Sequence, residues 1–161
     1  MAKSMAPDGI PSQLIKEALG PVNEALAQAS SYLFENLPPV ELNGELEVYR
    51  GTTPYSCLSK SARYRVGICF QYALATLTGS RLLMVDEGDI LDPLNRAALI
   101  EFALDIVEQF DTILIFATSN EARPSPAPDL LTTWWLNDGH ISQVTEEIGP
   151  QWENQHDQAA G

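Results

Sequence analysis

Two residue clusters in this 161-residue chain have the types and spacing to do chemistry. The first is the apolar run Leu82-Leu83-Met84-Val85, which flows directly into Asp86-Glu87. A buried strand that ends in adjacent carboxylates is costly unless those groups have partners or work. At the carboxyl end of a parallel strand they stand where α/β proteins bind ligands. One carboxylate there can hold Mg²⁺ through water, and the next can orient or activate an attacking water. The second cluster is Leu58-Ser59-Lys60-Ser61, followed by Ala62-Arg63-Tyr64-Arg65. Small hydroxyl residues that open a helix leave backbone donors and the positive end of its dipole available to an anion. The same residues also serve as an ordinary N-cap.

The surrounding pattern predicts the elements that must position these groups. From Ser12, apolar residues at Leu14, Ile15, Ala18, Leu19, Val22, Leu26 and Ala29 give one face of a helix. Gly20-Pro21 lies inside that run, and proline removes a backbone donor, so a kink or two shorter helices are expected. Val40-Glu41-Leu42 and Leu46-Glu47-Val48-Tyr49 read as short strands about the turn signal Asn43-Gly44. Residues 59–77 read as a helix buried around most of its circumference, ended by Gly79. Residues 81–85 form an apolar strand, 93–110 an amphipathic helix with Pro93 in its first turn, and 112–117 another strand. Strand, helix, strand with continuous apolar strands predicts an α/β fold with a parallel sheet covered on both faces. A Pro-rich loop follows at 119–128, then a hairpin about Asp138-Gly139 whose Trp134 and Trp135 are expected to give core and one partly exposed ring.

Composition bounds the function classes. The chain is 45% hydrophobic and 19% charged, enough for one domain with a real core. Nine Lys+Arg against 22 Asp+Glu give a net charge of −13, a poor surface for a phosphate backbone. Most of the basic charge sits in one stretch, at Arg50, Lys60, Arg63, Arg65 and Arg81, where a local anion site belongs. No apolar run reaches the about 18 residues of a membrane span, and no secretory signal is visible. Cys57 and Cys69, like His140 and His156, lack zinc-site spacing. Both cysteines are expected to be buried free thiols, which fits a reducing, cytoplasmic compartment.

In this order the residues resemble the C-terminal lobe of an ABC-type ATPase head of the SMC and double-strand-break-repair class, nearest a bacterial or prophage branch. The resemblance runs from about Ile10 to Val144 and is densest from Leu58 to Asn120. It implies a P-loop NTPase-like half domain, with a parallel sheet core, flanking helices and terminal β-hairpins. Residues 1–11 would be a flexible lead-in, 12–144 the lobe, 12–36 the foot of a coiled-coil arm, and 145–161 a polar disordered tail. Leu58 and Ser59 match the first two positions of the signature motif, where Ser59 and the helix amides would contact the γ-phosphate of ATP bound by the opposing subunit, with Ser61 a tolerable small substitute for a later glycine. Lys60 departs from glycine, and Arg63 and Arg65 stand where the class carries basic residues. Asp86 would organise Mg²⁺ as the Walker B aspartate, Glu87 would be the catalytic base, and Asp92 the D-loop aspartate. The interval from Asp86 to Asp92 is one residue shorter than the common form. The switch position falls near Ala117, Thr118 or Ser119, none of them histidine.

The resemblance also implies partners. ATP and Mg²⁺ would bind only in an assembled head, because no Gly-x-x-x-x-Gly-Lys-Ser/Thr occurs in the sequence. The chain would need a Walker A lobe, would act in a head-to-head dimer, and would meet DNA only indirectly, in repair or maintenance. It would be a split subunit, a truncation or a remnant. Such a half head is expected to expose an apolar edge and to self-associate. The alternative is a non-catalytic interaction module that retains the fold. A receiver-type phosphotransfer domain fits poorly, since no lysine follows Lys60.

Overall fold

The computed structural model describes residues 10–35, 37–118 and 131–143. The chain divides into two compact units, Met1–Thr118 and Ser119–Gly161. The lead-in at 1–9, the loop at 119–128 and the tail from 145 lie outside the described residues.

In the first unit α1 spans Ile10–Leu33, α2 Lys60–Thr78 and α3 Pro93–Asp105. Helix α1 begins two residues earlier than expected and runs through Pro21 as one helix. The proline is tolerated because that half of α1 faces solvent, where water can satisfy the carbonyl that loses its donor. Leu14 and Ile15 are exposed, whereas Ala25, Leu26, Ala29 and Leu33 are buried, so only the C-terminal half of the apolar face packs.

Strands β1 (Val40–Leu42), β2 (Val48–Arg50) and β3 (Thr53–Pro54) form a small antiparallel sheet. The pairing Leu42↔Val48 leaves a five-residue loop rather than a tight Asn-Gly turn. The Asn43 side chain organises it, its Oδ1 accepting from the Glu45 and Glu47 amides at 2.9 Å. Leu46, not Gly44, takes the left-handed conformation, at φ 62°. Asn23 of α1 pairs with both backbone groups of Leu42, at 2.8 and 3.0 Å, and buried Ser30 Oγ accepts from Val40 N–H at 3.0 Å. The side chains of α1 thus satisfy the outer edge of β1.

Ser59 caps α2, and Gly79 ends it in the left-handed conformation at φ 71°. Ala62, Val66, Ile68, Cys69, Tyr72, Ala73 and Ala75 pack inward, but Leu74 and Leu77 are exposed, so α2 is covered on one side rather than all round. Tyr72 is the centre of the core, its ring edge-on to Phe102 at 5.4 Å and tilted against Phe110 at 6.2 Å. Helix α3 stops at Asp105, and a short 3-10 turn at Val107–Gln109 completes the expected span.

Strands β4 (Leu82–Val85) and β5 (Thr112–Ile115) pair in parallel, joined by α3. Leu83, Val85, Ile113 and Ile115 share the core face. Leu82, Met84, Leu114 and Phe116 on the other face are 47%, 48%, 37% and 48% exposed. The expected two-sided cover is therefore one-sided, because no described element of this unit packs against the second face.

In the second unit β6 (Trp134–Asn137) and β7 (His140–Gln143) form a hairpin with Asn137↔His140 paired. Asp138 at φ 46° and Gly139 at φ 78° give the two-residue primed turn that the dipeptide predicts. Trp134 is 60% exposed and Trp135 is only half-buried, so neither ring is core.

Candidate functional site

The end of β4 turns out of the sheet as an acidic ledge. Asp86 Oδ1 accepts from the Glu87 N–H at 2.8 Å. Glu87 lies at φ 58° and ψ 36°, a left-handed conformation that costs a residue other than glycine about 1–2 kcal/mol. Gly88 N–H donates to Phe116 O at 2.8 Å. A Cβ at residue 88 would lie 3.2 Å from that oxygen and 3.3 Å from Ala117 Cβ, so this close approach favours glycine. Asp89 Oδ1 accepts from Thr118 N–H at 3.1 Å. That backbone bond holds the Asp89 carboxyl below the usual carboxylate range, with Arg96 and Lys60 adding to the effect. The exits of β4 and β5 are thereby tied together, and Thr118, one of the three residues near the expected switch position, is fastened to Asp89.

Asp92 is the N-cap of α3. Its carboxylate accepts from Asn95 N–H at 2.9 Å and from Asn95 Nδ2 at 2.6 Å, bonds that lower its pKa. Pro93 follows at the start of the helix, where its missing donor costs nothing.

Leu58 is buried and anchors the start of α2. Ser59 spends its hydroxyl on the cap, accepting from Ala62 N–H at 3.2 Å. Ser61 Oγ is shielded and has no hydrogen-bond partner among the described residues. Further along α2, the Tyr64 hydroxyl donates to the Asp86 carbonyl oxygen. Burial and the neighbouring carboxylates of Asp86, Glu87 and Asp89 raise its pKa, so it stays a donor.

Arg65 does a structural job. Its NH1 donates to Leu33 O and to Asn95 Oδ1, both at 2.7 Å, and its guanidinium lies 4.4 Å from the Phe34 ring centre. It thus joins the C-terminus of α1 to the N-terminus of α3. Burial, then repulsion from Arg50, lowers its pKa. Arg63 is exposed. The expectation of two buried thiols holds for Cys69, whose pKa burial pushes up to about 12, but Cys57 is exposed.

Asp86 and Glu87 therefore stand at the end of β4 and Asp92 at the start of α3, and Tyr64 ties α2 to the Asp86 carbonyl. No hydrogen bond among the described residues joins Ser59 or Ser61 to these carboxylates. The three carboxylates and Tyr64 are on exposed or half-exposed surface rather than in an enclosed cavity. Among the described residues, no group of three or more His, Cys, Asp or Glu is placed to hold a metal alone. A Mg²⁺ held by one or two carboxylates together with phosphate oxygens needs no such group. Asp86 fits that use: it is exposed, and among the described residues Oδ1 alone is engaged. Tyr64, Asp89 and Asn95 carry no motif signal in the sequence. Tyr64 reads there as part of an apolar helix face, and only folding brings it to Asp86.

A solved structure, an SMC head domain from Thermotoga maritima, superposes on the chain with a TM-score of 0.52 at 22% identity. The fold is similar to that of an SMC head. The match covers 88% of this chain but 55% of the other, so this chain corresponds to about half of that head. The α/β half domain read from the sequence agrees with this likeness. No protein-family model and no curated protein sequence matches the chain. No described helix is long and apolar enough to cross a membrane.

Proposed function

We propose that the chain is the C-terminal half of an ATP-hydrolysing SMC-like head, active only with a Walker A lobe and in a head-to-head dimer, in the service of DNA repair or maintenance. The observation that carries this reading is the left-handed Glu87 beside Asp86 at the C-terminal end of a parallel strand, in a fold similar to half an SMC head. When bound, Mg²⁺·ATP would supply an electrophilic γ-phosphate with ADP as the leaving group. Asp86 would hold the metal's water shell through its free oxygen. Glu87 would accept a proton from the attacking water. Ser59, which is exposed, and the first-turn amides of α2 would meet a phosphate presented by the opposing head. Asp92 would reach across the same interface from the start of α3. The exposed N-terminal half of α1 fits the foot of an arm. The net charge of −13 leaves DNA contact to other parts of the assembly.

The test mixes the chain with a matching Walker A lobe and measures phosphate release. Glu87→Gln is expected to slow hydrolysis by about 10²–10⁴-fold while ATP still binds. Hydrolysis at the wild-type rate would remove Glu87 from the role of base.

A second reading, a non-catalytic interaction module, is favoured by the residues at the switch position. Ala117 and Thr118 offer no imidazole, and the Thr118 amide is already committed to Asp89. Partner capture that is indifferent to ATP, with no hydrolysis by any reconstituted head, would decide for it.

A further inference from the structure

We propose that Tyr64 is a positioning residue that couples the N-terminal end of α2 to Glu87; this rests on the reading of Glu87 as the hydrolytic base. The peptide group between Asp86 and Glu87 is held at both ends. Tyr64 O–H donates to its carbonyl oxygen, and Asp86 Oδ1 accepts from its N–H at 2.8 Å. The plane of that peptide sets φ of Glu87, which stands at 58°. A strained conformation of this kind persists only where its surroundings over-determine it. One of its two restraints comes from a neighbouring element: Tyr64 lies in α2, five residues after the Ser59 cap. A displacement of the start of α2 against a nucleotide on the opposing head therefore pulls on the peptide that orients Glu87. Asp89 and Gly88 fix the far side of the turn to β5 through Thr118 and Phe116, so a pull from α2 falls on this peptide rather than on the rest of the turn.

The test uses the whole chain and Tyr64→Phe, which removes only the hydroxyl. Amide exchange at Glu87 and Gly88 is expected to speed up by about tenfold, roughly the worth of one hydrogen bond. Exchange at Tyr72 and Ala73 in the middle of α2 stays within about twofold, which separates local release from general loosening. In Glu87→Gly, where glycine enters the left-handed region unaided, Tyr64→Phe should leave exchange at Gly88 unchanged. In a head reconstituted with a Walker A lobe, Tyr64→Phe is expected to lower kcat about tenfold at constant KM for ATP. Unchanged exchange at Glu87 and Gly88, or an unchanged kcat in an active head, overturns the proposal. If the wild-type head does not hydrolyse ATP at all, the reading of Glu87 as base fails, and the exchange data alone then decide whether Tyr64 positions the turn.

Discussion

Replacing Arg65 by methionine should loosen the whole first unit, and the size of the effect can be worked from the contacts. The substitution keeps most of the aliphatic packing but removes two NH1 bonds at 2.7 Å, to Leu33 O and Asn95 Oδ1. Hydrogen bonds from a charged group contribute about 1.5–3 kcal/mol each when shielded, and the half-exposed setting here puts the pair at about 2–3 kcal/mol. The guanidinium over Phe34 adds roughly 0.5–1 kcal/mol. Against this, Arg65 Nε is shielded without a partner among the described residues, and its removal returns about 1 kcal/mol. The net loss is about 2 kcal/mol. With a urea m-value near 2 kcal/mol/M, the unfolding midpoint should fall by about 1 M. Arg65→Lys, which can make one of the two bonds, should fall by about half as much. A midpoint for Arg65→Met within about 0.2 M of wild type would refute the clamp, as would a lysine variant no better than methionine.

Other outcomes follow from single features. Burial raises the Cys69 thiol to about 12 from an ordinary 9.0, so the neutral form is the folded one. Its contribution is complete below about pH 9 and is lost as pH rises toward 12; at pH 10.5 the loss is about 2 kcal/mol. Urea titrations at pH 8 and pH 10.5 should show that loss in wild type and not in Cys69→Ala, the tyrosines titrating alike in both. Glu87→Gly should abolish hydrolysis in a reconstituted head yet raise stability by about 1 kcal/mol, read as a higher urea midpoint, because glycine carries no left-handed penalty. Asp92→Ala should cost about 1 kcal/mol through loss of the α3 cap, in the same assay. Met84→Lys together with Leu114→Glu should reduce self-association in light scattering across a concentration series, since both lie on the open sheet face. Equal association by both proteins would mean that this face is not the sticky one.

Signals that act within a few residues are legible in the sequence. Ser59 and Gly79 bound α2, Pro93 opens α3, and Asp138-Gly139 makes its turn, because each sets backbone dihedrals or a capping bond locally. The apolar run at 82–85 and the carboxylates after it are legible for the same reason. Asn43-Gly44 misleads because a side-chain bond network from Asn43 outweighs the dipeptide's turn preference. Pro21 misleads because the cost of a missing donor depends on solvent exposure, which a sequence does not display.

The sequence by itself determined the element types, the acidic end of β4, the caps of α2 and α3, and the absence of a P-loop motif from this chain. Only the tertiary structure decided what each side chain is used for. It spends Arg65 on a clamp between α1 and α3, commits the Thr118 amide to Asp89, and brings Tyr64 to the Asp86 carbonyl across 22 residues of chain. It also leaves one face of the β4–β5 sheet open. The physical reason is range. Helix caps and turns depend on neighbours in the chain, whereas hydrogen-bond partners and burial depend on which elements pack together, and that is settled by the core around Tyr72 and Phe102.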